Sequence, residues 1–169
     1  MGLPRKLQNM NLYNEGQDYF GRIAELTPPK ISHATEDWRG GGMIGAIKID
    51  MGLEALEAEM TLGGQENQFL RQLGETRHDA VLLRALGGFR SDDTGQVTAV
   101  ELEMRGRWQE LDRGNWKAGD DTEFKVKANL SYYREVVDGE ELLRIDMVQG
   151  IYIVGGVDRY AEIREAIGR

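Results

Sequence analysis

The residues 39–45, "RGGGMIG", put Gly40, Gly42 and Gly45 at the G-x-G-x-x-G spacing that lets a backbone approach a pyrophosphate at a helix N-terminus. That chemistry requires a strand before the glycines and a helix after them. Here a polar, proline-containing stretch precedes them and the alternating "AIKIDMG" follows, so the spacing predicts a bend rather than a phosphate cradle. His33 and His78 lie far apart, and neither has a second histidine or a cysteine at metal-ligand spacing. The carboxylate pairs Glu57/Glu59 and Glu101/Glu103 could serve as the acid and base of a glycosidase cleft. Each pair, however, belongs to a longer polar alternation, the pattern of a solvated strand face. No serine stands in a G-x-S-x-G elbow, and nothing singles out Ser32, Ser91 or Ser131 as a nucleophile. The expectation is a protein without catalytic residues, metal or cofactor.

The same alternation defines the elements that would carry these side chains. In "EALEAEMTL", Leu56, Ala58, Met60 and Leu62 oppose Glu57, Glu59 and Thr61. In "VTAVELEMRGRWQEL", Val100, Leu102, Met104 and Trp108 oppose Glu101, Glu103, Arg105 and Arg107. In "TEFKVKANLSYYREVV", Phe124, Val126, Ala128, Leu130 and Tyr132 oppose Glu123, Lys125, Lys127, Asn129 and Ser131. Shorter strands are expected at 10–14, 18–24, 43–51, 79–90 and 140–154, with Lys48 and Asp50 alternating against Ile47, Ile49 and Met51 in the third. "SDDTGQ" and "VDGE" supply turns, the second a two-residue hairpin signal at Asp138 and Gly139. The period changes twice. "QENQFLRQLG" reads as a short helix closed by Gly74, and "DRYAEIREAIGR" as a second, with Asp158 as N-cap and Tyr160, Ile163 and Ile167 on one stripe. The fold class is therefore mainly β: antiparallel strands joined by turns, with two short helices. Residues 27–42, with Pro28, Pro29 and the glycine run, lack periodicity and predict an extended loop or hairpin arm.

At 169 residues the chain suits a single domain. Twenty-nine acidic against 21 basic residues, a net charge of −8, argue against sustained nucleic-acid binding by counterion release. No cysteine is present, which fits assembly in a reducing cytoplasm, and the N-terminal residues lack the apolar core of a secretory signal. No stretch approaches the roughly 18 apolar residues of a membrane helix. Glycine, at 22 residues, exceeds the roughly 12 of average usage and predicts many turns or bends. Trp38, Trp108 and Trp116, with Tyr132, Tyr133, Tyr152 and Tyr160, lie in or near polar strands and glycine-rich turns; exposed aromatics of this kind suggest contacts between subunits, and core packing is the alternative.

Four segments carry a resemblance: "LPRKLQNMNLYNEGQDYFG", "LTPPKISHATEDWRGGGMIGAIKIDMGLEALEAEM", "LDRGNWKAGDDTEFKVKANLSYYR" and "LLRIDMVQGIYIVGGVDRYAEIREAIG". In this order they cover most of the chain, and the chain resembles the major tail tube proteins of contractile-tailed bacteriophages and the related tube proteins of R-type pyocins. Residues 75–96 carry the least of it. The resemblance implies a β-sandwich-like or barrel-like protomer and a structural protein, not an enzyme, whose hexameric rings stack into a tube inside a contractile sheath and give a conduit for DNA through the host envelope. Its implied partners are further copies of itself, the tail sheath, baseplate and tail terminator proteins, and DNA in transit; none is a membrane. Its implied location is the virion tail, assembled in the host cytoplasm. A genome-free, pyocin-like injection particle remains the alternative within the family, and a monomeric β-sandwich binding module or hydrolase the alternative outside it. On this reading 1–169 is one tail tube domain with an arm at about 27–45. Lys48, Asp50, Glu57, Glu59, Glu101, Glu103, Arg105, Arg107, Lys125 and Lys127 face the lumen, joined by Glu123, Arg144 and Asp146 among the alternating charges. Trp38, Arg39, Gly40, Gly41 and Gly42 belong to the arm that reaches the next ring, with "RGGG" as its hinge.

Overall fold

The computed structural model describes residues 2–169. Strands β1 (Arg5–Asn14), β2 (Gln17–Asp18) and β3 (Ile23–Thr27) precede a hairpin of β4 (His33–Trp38) and β5 (Ile47–Leu53). Then come β6 (Leu56–Leu62), α1 (Asn67–Gln72), β7 (Val81–Ser91), β8 (Val97–Asp112), β9 (Phe124–Val137), β10 (Glu140–Asp146), β11 (Ile151–Val154), β12 (Val157–Asp158) and α2 (Ala161–Ala166). Ten strands form one antiparallel sheet, eight of them in the order β12-β11-β10-β9-β8-β7-β1-β2 with β6 and β3 branching from β9, and the hairpin is a separate two-stranded sheet. The long β9 forks the sheet: beyond the β8 edge, its first half pairs with β6 and its second half with β10, while β3 pairs with the far side of β6.

The alternation in β6, β8 and β9 places one side of each strand in a common core. Leu56, Ala58, Met60 and Leu62 are buried with Leu102, Met104, Trp108, Phe124, Val126, Ala128 and Leu130, and β1 and β7 add Leu12, Val81, Leu83 and Ala85. Helix α1 lays Phe69 into this core, with its ring centroid 5.2 Å from Tyr19, 5.0 Å from Trp108 and 6.0 Å from Phe124. Tyr19 follows β2, at one end of the sheet path, and Phe124 opens β9 near its middle, so the sheet is curled around the Phe69 ring in a barrel-like form. The polar groups that α1 takes inside are satisfied. Asn14 and Gln72 exchange amide hydrogen bonds of 2.8 Å in both directions, and the Trp108 indole N–H donates to the Gln72 amide oxygen at 3.1 Å.

Four expectations about the elements of the main sheet and α2 need correction. Tyr132 was expected on the apolar side of β9; Tyr133 is buried there instead, and Tyr132 is half-buried on the charged side under the Arg105 guanidinium. The cause is a bulge: Arg105 pairs with Tyr132 but Gly106 pairs with Leu130, so Ser131 is an extra residue and every later side chain changes face. The stretch 140–154 is two strands joined by a turn, and 18–24 divides between the end of β2 and the start of β3. Asp158 closes β12, and Tyr160 is the N-cap of α2; the Asp158 carboxylate accepts the Tyr160 N–H at 3.1 Å and pairs with Arg164. That hydrogen bond from Arg164 holds the Asp158 carboxyl below its ordinary range. The turn at Asp138 and Gly139 forms as expected, with φ of 49° and 82° and Val137 directly opposite Glu140.

Candidate functional site

Two surfaces concentrate the side chains that alternation turns away from the core. The first is the charged side of the sheet. Register places Glu57 of β6 opposite Asn129 and Glu59 opposite Lys127, while Arg107, Glu110 and Asp112 of β8 oppose Asn129, Lys127 and Lys125 across the other edge of β9. Beyond the Ser131 bulge the same side carries Arg105 beside Tyr132, Glu103 beside Arg134, and Arg84 of β7 beside Glu103.

Ion pairs link these charges within and across strands. Lys127 lies 3.1 Å from Glu57, Arg84 lies 2.6 Å from Glu101, and Glu103 meets Arg105 at 3.0 Å and Arg134 at 3.7 Å. Glu141 receives Arg134 at 2.7 Å and Arg144 at 2.6 Å. Partial burial pushes the Glu141 carboxyl up, but the two guanidinium hydrogen bonds outweigh it and hold it below its usual range. The hydrogen bond to Glu57 raises Lys127, and the one to Glu141 raises Arg134. Every pair is at least partly in water, where such a contact is worth about 0.2–1 kcal/mol and many contribute nothing measurable. Protomer stability does not account for so extensive a charged surface. What it provides is a wetted wall with positive and negative groups interleaved and nearly matched in number.

Of the side chains expected on one face, the sheet therefore brings together Glu57, Glu59, Glu101, Glu103, Arg105, Arg107, Lys125 and Lys127. Lys48 and Asp50 are not among them, because β5 belongs to the separate hairpin; there Lys48 pairs with Asp37 at 3.1 Å and Asp50 lies 3.1 Å from His33. Arg84, Arg134 and Glu141 join the face without having been expected. Arg134 is hidden by the Ser131 bulge and Glu141 by a second bulge, at Leu142 of β10, while Arg84 is the one charge among Leu82, Arg84 and Leu86 on the outward side of β7.

The second surface is that hairpin, the arm. It is longer than the expected 27–45 and has regular strands, His33–Trp38 and Ile47–Leu53. The glycine run lies in the connection between them, with Gly42 at φ 86°, so it forms the tip of the arm and not its hinge. Around this tip the Gly40 N–H meets the Met43 sulfur at 3.0 Å and Arg39 donates to the Met43 carbonyl at 3.3 Å. Trp38 is 56% exposed and Ile44 fully exposed. At the base, His33 bridges from Asp50 to the Tyr152 hydroxyl of β11, 3.0 Å away. Hydrogen bonding from the Gly52 N–H and then from His33 lowers the Asp50 carboxyl. Trp116 is likewise exposed, whereas Trp108 is core. With so few contacts to the body, the arm should be cut first by protease in the free protomer, within 39–46. Protection equal to that of β8 would contradict this.

The family model described as phage tail tube protein FII matches residues 4–168. The tail tube protein of Escherichia phage P2 is 42% identical, with 99% of each chain covered, and the major tail tube protein of Serratia phage KSP20 is 39% identical over 99% of this chain and 98% of its own. Among solved structures, the sheath–tube complex of the extracellular contractile injection system PVC, in its extended state, superposes with a TM-score of 0.57 at 10% identity, covering 79% of this chain and 91% of that one. The tube-terminating cap of the anti-feeding prophage gives the same TM-score of 0.57, over 82% and 93% of the two chains.

Proposed function

The chain belongs to the phage tail tube protein FII family and is a structural tail tube protein rather than an enzyme; on that premise we propose that it forms hexameric rings that stack into the inner tube of a contractile tail, with the charged side of the sheet lining the bore. The single domain 1–169 is the repeating unit. The observation that carries this reading is the charged face itself: a continuous wall of interleaved carboxylates and cations on β6, β9, β8 and β7, backed by the core. A bore that passes DNA must be wet yet must not collect phosphates, and a wall with matched charge meets both conditions where a basic groove would bind. Ring formation also disposes of the open edges at β2, β3 and β12, which in a lone protomer would invite uncontrolled pairing.

On this reading the sheath protein surrounds the tube, the baseplate and tail terminator proteins close its two ends, and the assembly takes place in the host cytoplasm before residing in the virion tail. The relatives at 42% and 39% identity are phage proteins, which favours a conduit for a genome over a genome-free injection particle; nuclease-resistant DNA in the purified particles tests that distinction. The arm reaches from each subunit to the next ring. Electron microscopy and sedimentation of the purified chain test the assembly: rings or tubes with six-fold symmetry are expected, and a monomer at every concentration and salt would overturn it.

A further inference from the structure

Glu135 has no partner within the protomer. The Ser131 bulge that turns Tyr133 into the core turns Glu135 the same way, so it lies opposite Leu102 on one side and Leu143 on the other, on the face of the sheet away from the charged wall. It is half-buried, forms no ion pair or side-chain hydrogen bond among the described residues, and burial pushes its carboxyl up. Its surroundings on that face are apolar. Val137 follows it along β9, and Leu143, Val154 and Val157 continue the face across the next three strands, the first three half-buried and Val157 51% exposed.

The arm leaves the body on this same face, because the Tyr152 that holds its His33 lies opposite the buried Ile145. Its tip is apolar and cationic. Trp38 and Ile47 stand opposite each other, 56% and 54% exposed, and Ile44 in the connection is fully exposed. Lys48 is engaged by Asp37, whereas the Arg39 side chain donates to the Met43 carbonyl at 3.3 Å and has no carboxylate partner among the described residues.

We infer that the arm tip of one copy seats on this apolar face of a copy in the adjoining ring, with Arg39 meeting Glu135. The inference rests on the stacked-ring reading above and names the surface the arm finds there. Both surfaces lie behind the charged wall, so the contact leaves the bore open. An arm that leaves from that face and runs along the tube meets the same face of the next copy. A carboxylate covered by apolar groups alone is strongly destabilising, so whatever covers Glu135 must bring a cation with it. The tip brings exposed apolar side chains and a guanidinium together, and the ion pair fixes the register of the contact.

Charge exchange tests this in the full-length chain. Arg39→Glu and Glu135→Arg should each raise the concentration needed for tube formation at least tenfold while leaving single rings intact, and the two together should restore tubes. Glu135→Gln keeps the shape of the side chain; it should weaken tubes in the same direction without lowering the protomer's denaturant midpoint, and it carries the test if Glu135→Arg folds poorly. The chain has no cysteine, so Ile44→Cys combined with Val137→Cys gives an independent readout: tubes treated with a short bis-maleimide should yield a ladder of linked subunits, and separated rings should not. Tubes that form equally well from the single variants, that fail to return in the double variant, or that give no ladder overturn the inference and leave the ring-and-tube reading standing. Glu135→Gln tubes that form normally but no longer bind the sheath protein assign the face to the sheath and overturn it too. Loss of rings together with tubes, with the fold retained, places the charges in the ring contact and has the same consequence. A parent chain that neither assembles nor cross-links overturns both readings.

Discussion

Gly106→Ala is expected to destabilise the protomer by about 3 kcal/mol or more, at the upper end of what overpacking costs. A Cβ at position 106 would run into the Asn129 carbonyl oxygen and come within 2.9 Å of both the Asn129 carbonyl carbon and the Leu130 Cα. All three are backbone atoms of the paired strand, so no side-chain rotamer relieves the clash. Position 106 is the place where β8 crosses the Ser131 bulge, and the close approach of the two backbones there sets the face of every residue from Tyr132 to Val137. If β9 yielded to the new methyl group, Tyr133 would leave the core and Tyr132 and Arg134 would leave the charged wall. Gly88→Ala, in the neighbouring β7, is the control, because a Cβ there meets nothing within 4 Å and the backbone is not in the left-handed region. Denaturant midpoints decide: a large fall for Gly106→Ala and little change for Gly88→Ala are expected, and equal midpoints would contradict the bulge account.

Replacing Glu57, Glu59 and Glu101 together with lysine should convert tubes that ignore DNA into tubes that hold it. Glu103 is left in place because it lies between Arg105 and Arg134, and its loss would leave two guanidinium groups without a carboxylate. The three substitutions release Lys127 and Arg84 from their partners as well as adding positive charge, so the wall becomes strongly basic. Each exposed contact is worth only about 0.5 kcal/mol. The change repeats in every subunit of every ring, however, and the attraction accumulates along the DNA. Short duplex DNA should be retained by variant tubes at low salt and released as salt rises, with an affinity that falls steeply on a logarithmic salt axis. Particles built with the variant should contract normally yet pass their genome slowly. Variant tubes that assemble and show no salt-dependent retention would contradict the assignment of this face to the bore.

Much of this was legible in the residues, because alternation is a local signal. Leu56 to Leu62 and Val100 to Trp108 lie on the sides that their spacing predicts, and the Asp138–Gly139 turn follows from two residues that accept positive φ. What was not legible depends on pairing between distant segments. Nothing near Tyr132 in sequence announces that Ser131 is extra; that follows from Gly106 lying against Asn129 and Leu130. Ile47, Lys48, Ile49 and Asp50 alternate like a strand of the main sheet, and they do form a strand, but its partner is β4. Alternation reports that a strand has two unlike sides, not which sheet it joins. Hence Lys48 and Asp50 were grouped with the charged wall although they stand on the arm. Arg84 is not legible as part of the face because its neighbours on that side, Leu82 and Leu86, hide the polar alternation of β7.

The central claim is that one charged sheet face, repeated around a ring, lines the bore of the tube. An electron cryomicroscopy map of tubes assembled from the unsubstituted chain tests it most directly. The account predicts six subunits per ring, with Glu59, Arg107 and Lys127 on the inner wall, the Phe69 core behind them and the arm crossing to the adjoining ring. A map in which those three side chains point outward toward the sheath, or in which the inner wall is built from other strands, would contradict it.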